Sequence, residues 1–120
     1  MNKERHSIES GFLYFILAEE GLKRVKIGVS SNPVRRLKAH QVSSPIKLSL
    51  HGFIKYITWN EARSEEQKLH KTLKQFNLWG EWFEYNAVVE KTVTEMIHET
   101  VWSPYLDGEA EKLLCQVFSE

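Results

Sequence analysis

Only one cysteine occurs in the 120 residues, Cys115. An intramolecular disulfide and a cysteine zinc cage are therefore both excluded. A lone thiol is compatible with a reducing, cytoplasmic setting. Long apolar runs are missing as well. The longest, Phe12 to Ala18, is far too short to span a bilayer. The opening MNKERHSIES is polar and charged and lacks the apolar stretch of a signal peptide. The expectation is a cytoplasmic protein that does not enter a membrane, with residues 1–10 as a polar tail. There is no internal repeat, low-complexity tract, zinc finger or basic arm. Net charge is absent too: 16 Lys/Arg balance 16 Asp/Glu. Such neutrality argues mildly against a strong binder of nucleic acid.

What is present points to a folded domain. Apolar residues make up 42% of the chain and aromatic residues 12%, enough for a packed core rather than a disordered segment. The charge is also unevenly spread. Residues 1–83 hold 14 Lys/Arg against 8 Asp/Glu, whereas residues 84–120 hold 2 against 8. A basic face for an anionic partner would lie in the first part. A solvated acidic helix in the second part explains the split equally well.

Periodicity gives the element order. Phe12–Leu17 is apolar on both alternating sides and reads as a buried strand. Glu19-Glu20-Gly21 signals a turn, and Arg24–Val29 alternates, so the two segments form an antiparallel hairpin. Ser30-Ser31-Asn32-Pro33 starts a helix that runs to about Gln41. Ile46–Ile57 alternates as a third strand. Thr58 and Glu61 form a capping box for a helix over about Trp59–Phe76. Trp79–Tyr85 reads as an aromatic-rich turn or a short strand. Asn86 caps a helix to about Thr100, and Pro104 and Asp107-Gly108 precede a last amphipathic helix carrying Leu113, Leu114, Val117 and Phe118. The fold class expected is α+β, a small three-stranded antiparallel sheet flanked by helices, with extra C-terminal helices.

Four polar placements stand out against this frame. Tyr14 lies inside the most apolar strand, where a hydroxyl needs a partner; a tethered core tyrosine is the plainer explanation. Arg36 and His40 are neighbours at i,i+4 on the first helix. A guanidinium fork beside an imidazole suits a phosphate, although two solvated surface groups have the same spacing. Glu65 and Glu66 flank the apolar stripe of the second helix, one on each side. A carboxylate at such an edge can hold a hard cation, though boundary charges are usually just solvated, and periodicity does not choose between the two. His70 follows Glu66 by four residues, which is weak evidence for a shared ion. Lys26, on the polar side of the second strand next to Arg24, can meet a phosphate backbone or simply face water.

Taken in order, these segments resemble the GIY-YIG nuclease superfamily, and within it a phage-associated DNA-binding branch. Leu13-Tyr14-Phe15-Ile16 is similar to the first motif and Val25-Lys26-Ile27-Gly28 to the second, in the branch's "KIG" form. Arg36 follows Gly28 by eight residues and His40 follows Arg36 by four, as in the family. Glu66 matches the position of the family's metal-binding glutamate, and Gly80-Glu81-Trp82-Phe83 resembles the branch's closing GEWF motif. The resemblance covers about residues 11–85, the expected nuclease core; residues 86–120 are expected as a helical extension packed on it. It implies a DNA endonuclease with one Mg²⁺ or Mn²⁺ ion held by Glu66. Arg36 would contact a phosphate oxygen, Tyr14 would act as general base or orient the water, Lys26 would lower the phenol's pKa, and His40 would relay a proton or hold the phosphate. DNA contacts would come from Arg24, Lys26, Arg35, Arg36 and Lys38. The alternatives are a related DNA-binding module that does not cut, and a protein-interaction domain that uses residues 86–120 to recruit a second copy or a specificity partner.

Overall fold

The computed structural model describes residues 9–100. The last amphipathic helix, the Pro104 and Asp107-Gly108 break, Cys115 and most of the expected tail lie outside the described residues. Strand β1 (Gly11–Ala18) and strand β2 (Arg24–Ser30) form the expected hairpin, antiparallel from Phe12↔Ser30 to Ala18↔Arg24. Gly21 turns it with φ +70, a conformation that costs a glycine nothing and a β-carbon residue about 1 kcal/mol or more.

Helix α1 (Pro33–Val42) starts where the Asn32 side chain accepts the Arg35 N–H at 3.0 Å, with proline in the first turn. Strand β3 (Leu48–Tyr56) pairs with the other side of β1. Helix α2 (Trp59–Thr72) opens with the complete Thr58–Glu61 capping box and ends before a 3-10 turn over Lys74–Phe76. It is thus shorter than the expected Trp59–Phe76. Helix α3 (Ala87–Thr100) begins where Asn86 Oδ1 accepts the Val89 N–H at 2.9 Å. None of the described helices is long and apolar enough to cross a membrane.

The expected three-stranded sheet is corrected by two further strands, β4 (Asn77–Trp79) and β5 (Trp82–Glu84). All pairings are antiparallel and the strand order is β3-β1-β2-β5-β4. Three residues are too few to show an alternating pattern, so Trp79–Tyr85 reads from the sequence as an aromatic-rich turn or a short strand, with no separate strand over Asn77–Trp79. These strands exist because β5 pairs with the outer edge of β2, Val25 opposite Phe83, and β4 closes a tight hairpin on β5.

Burial of both faces of β1 organises the rest. On one face Leu13, Phe15 and Leu17 join Val25, Ile27 and Ile54 with Leu69 and Leu73 near and beyond the end of α2 and Val89 and Val93 of α3. On the other face Phe12, Tyr14, Ile16 and Ala18 join Leu37 of α1, Leu48 and Phe53, with Trp82 packed against them. The sheet is therefore covered by α1 on one side and by α2 and α3 on the other.

Candidate active site

β5 pairs with β2 only over Arg24–Lys26. Beyond Lys26, the outer edge of β2 has no strand beside it. The turn between β4 and β5 closes this notch: Ile27 donates its N–H to the Glu81 carbonyl at 3.0 Å. Gly28 lies opposite Tyr14 across the hairpin. A β-carbon at Gly28 would stand 2.6 Å from the Tyr14 hydroxyl and 2.8 Å from Glu81 Oε1, closer than non-bonded atoms tolerate. The missing side chain makes the space in which the phenol and the carboxylate meet.

Other elements bring their groups to the same place. From α1, Arg36 donates a hydrogen bond to Tyr14. His40, one turn later, feels Lys26, Arg36 and Glu81. From α2, on the opposite face, Glu66 reaches the open side of β2 and hydrogen-bonds Glu81. Lys26 Nζ lies 3.2 Å from Glu81 Oε1. Tyr14, Lys26, Arg36, His40 and Glu66 thus form one interacting cluster with Glu81. Its electrostatics follow from burial. Glu66 is only 7% exposed, and desolvation together with the neighbouring Glu81 charge raises its pKa to about 7. Burial raises the Tyr14 phenol to about 12, against the lowering effect of its Arg36 hydrogen bond. Burial, then the Lys26 and Arg36 charges, lowers the His40 pKa, so the imidazole is neutral at pH 7. Its Nε2 is buried and has no hydrogen-bond partner among the described residues.

Three further phosphate contacts were expected. Arg24 turns back to the hairpin, donating to the Leu22 carbonyl at 2.7 Å. Arg35 is exposed on α1, and Lys38 is partly buried on the same helix. The two candidate glutamates separate: Glu65 pairs with Lys68 at 3.2 Å, whereas Glu66 enters the pocket. His70 is not beside an ion site, because its Nε2 lies 2.9 Å from the Ile27 carbonyl and its ring packs on Phe83; it anchors α2 to β2. Glu81 was not among the expected site residues. Its place within the Gly80–Phe83 motif was the only signal available, since an acid in a turn looks solvated until the neighbouring strand edge is known.

The chain matches the family model of the T5orf172 domain over residues 11–101. No curated protein and no solved structure matches it. The chain therefore belongs to the T5orf172 domain family, which is associated with nucleic-acid-binding and nuclease-like proteins and is consistent with a DNA-related role. This corrects the resemblance to the GIY-YIG superfamily and its phage-associated branch, which rested on short motifs in order. The match to a distinct family extends past them, to residue 101.

Proposed function

We propose that this member of the T5orf172 domain family is a metal-dependent endonuclease that hydrolyses phosphodiester bonds in DNA. The observation that carries the reading is the convergence of the Tyr14 phenol, the Arg36 guanidinium and the Glu66 carboxylate at the notch of β2. A purely structural pocket would pair its buried charges by sign. Here Glu66 lies beside Glu81 even though Lys26 also pairs with Glu81, and burial together with the Glu81 charge raises the Glu66 pKa to about 7. Sites that force like charges together are candidates for chemistry.

The donor set fits one hard divalent cation, Mg²⁺ or Mn²⁺. Glu66 and Glu81 offer carboxylate oxygens, and no group of three or more His, Cys, Asp or Glu gathers among the described residues. Magnesium commonly uses one or two carboxylates and leaves its other positions to water and substrate phosphate. When bound, the cation would supply charge stabilisation for the leaving 3′ oxygen and the crowded transition state.

The chain's own residues do the rest. Arg36 binds a non-bridging phosphate oxygen. Tyr14, with its pKa near 12, stays protonated at neutral pH and orients the attacking water by hydrogen bonding rather than deprotonating it. His40 is the better base: it is neutral, next to Arg36 and Lys26, with Nε2 available to take the proton. Lys26 leaves Glu81 to meet incoming phosphate.

The test is cleavage of plasmid and oligonucleotide DNA in magnesium. Glu66→Ala should lower the rate by roughly 100-fold or more, and equal cutting by both proteins rejects the assignment. The Lys26–Glu81 ion pair favours a second reading, a DNA-binding module without catalysis, in which the pocket neutralises itself. Binding retained in EDTA with no products in magnesium or manganese would decide for it.

A further inference from the structure

We propose that the β4–β5 hairpin is a stacking platform for an unpaired base of a DNA strand whose phosphate lies in the pocket, with Trp79 as its outer surface. The inference rests on the nuclease reading for the position of the phosphate, but its own evidence is separate.

Lys26 is the cross-strand partner of Trp82, and Trp82 is the partner of Trp79. Directly opposed residues of antiparallel strands project from the same face; Trp79 and Trp82 are such a pair next to the Gly80–Glu81 turn, ahead of the register shift toward Asn77, so Lys26, Trp82 and Trp79 form one row. Tyr14 shares that face, because its partner Gly28 is two residues from Lys26. The row covers two strand spacings, about 10 Å, from the pocket cation to the outer indole. That is near enough for a base adjoining the bound phosphate.

The chemistry of the row matches such a strand. Trp79 is 57% exposed, and it is the one exposed aromatic residue among those described. It occupies an edge strand, where proteins usually place charge to prevent association. Arg24 and Lys26 lie over the Trp82 ring, each 5.7 Å from its centroid. Aromatic faces beside cations are what sequence-tolerant binding of single strands requires, since every base presents a π-face and every nucleotide a negative charge. Bases inside a duplex are already stacked and meet an indole only after unstacking. The occupant is therefore a single strand, an overhang or a distorted junction.

The experiment measures binding of a labelled oligonucleotide, single-stranded and as its duplex, by anisotropy in EDTA at low salt. Wild type is compared with Trp79→Ala and Trp79→Phe. Because Trp79 is exposed, both variants should fold, which circular dichroism verifies. Trp79→Ala should weaken single-strand binding about tenfold, with duplex binding held within about twofold, and Trp79→Phe should recover most of the loss. Unchanged single-strand binding, equal losses on both forms, or no binding by the wild type overturns the platform. Wild-type cleavage without any effect of Trp79 rejects the platform alone. Trp79-dependent binding with no cleavage in magnesium or manganese rejects the nuclease reading alone.

Discussion

Along β1, Leu13, Phe15 and Leu17 enter a core formed with α2 and α3, while Phe12, Tyr14, Ile16 and Ala18 meet α1 on the other face. Both sets are almost fully buried, yet they differ in kind. The first face is apolar throughout, and each contact adds to stability. The second carries one hydroxyl, and at the hydroxyl the packing gives way to Arg36, Glu66 and Glu81. Burial on the first face removes hydrocarbon from water. Near Tyr14 it removes ionisable groups from water and shifts their pKa values against ionisation. Equal burial thus stabilises on one side and costs stability on the other. In the proposed reading, that cost is retained because the site awaits a charged partner.

The largest effect expected from this contrast is on the apolar face. Phe15→Ala should destabilise the fold by about 3–5 kcal/mol, because Phe15 is 0% exposed in the centre of the core. Denaturant titration measures it. A loss below about 1 kcal/mol would mean that the core collapses around the gap, and the contrast between the faces would weaken.

Next is a gain of stability at the pocket. Glu66 ionises near pH 7 in the folded chain and near 4.5 when unfolded. The folded state therefore binds the proton more tightly, and stability falls as pH rises between about 4.5 and 7. The loss reaches up to about 3 kcal/mol and persists above that window. Glu66→Gln should remove this slope and melt higher than wild type at pH 8, the opposite of its effect on cleavage. A stability difference between wild type and Glu66→Gln that stays constant from pH 5 to pH 8 would show that Glu66 is not buried against Glu81, since the opposite slope of His40 cancels in that difference.

Segments with strong local chemistry were legible in the sequence. Asn32-Pro33 and the Thr58–Glu61 box determine two helix starts by hydrogen bonds within a few residues. β4 and β5 were not legible as two strands, because only tertiary pairing with β2 gives them an edge to join. Within the site, Tyr14, Arg36 and His40 stood out as polar groups at telling positions. The choice between Glu65 and Glu66 was not available, since both flank the same stripe. It depends on what lies across from each: Lys68 for one, Glu81 for the other. Glu81 escaped for the same reason, as an acid in a turn looks solvated until the neighbouring strand edge is known. Family membership shows a related limit. Motifs of three or four residues recur across families, and only the match over residues 11–101 separates them.

The smallest effect expected on the fold is also the sharpest test of the division between the faces. Gly28 is buried and packed beneath the Tyr14 hydroxyl and Glu81. Gly28→Ala adds one methyl group and removes no contact of the apolar core. The Glu81 side chain can swing away, since it is 40% exposed, but Tyr14 is fixed by its neighbours. Overpacking of this kind costs about 1–3 kcal/mol, less than the Phe15 truncation. Its effect on cleavage should be out of proportion, because a displacement of about 1 Å in a reacting group can lower a rate 100-fold. Melting temperature and cleavage rate measured on the same preparation separate the two. A variant that loses stability but cuts normally would place the chemistry away from the notch, whereas a stable variant that has stopped cutting would tie it to the space above Gly28.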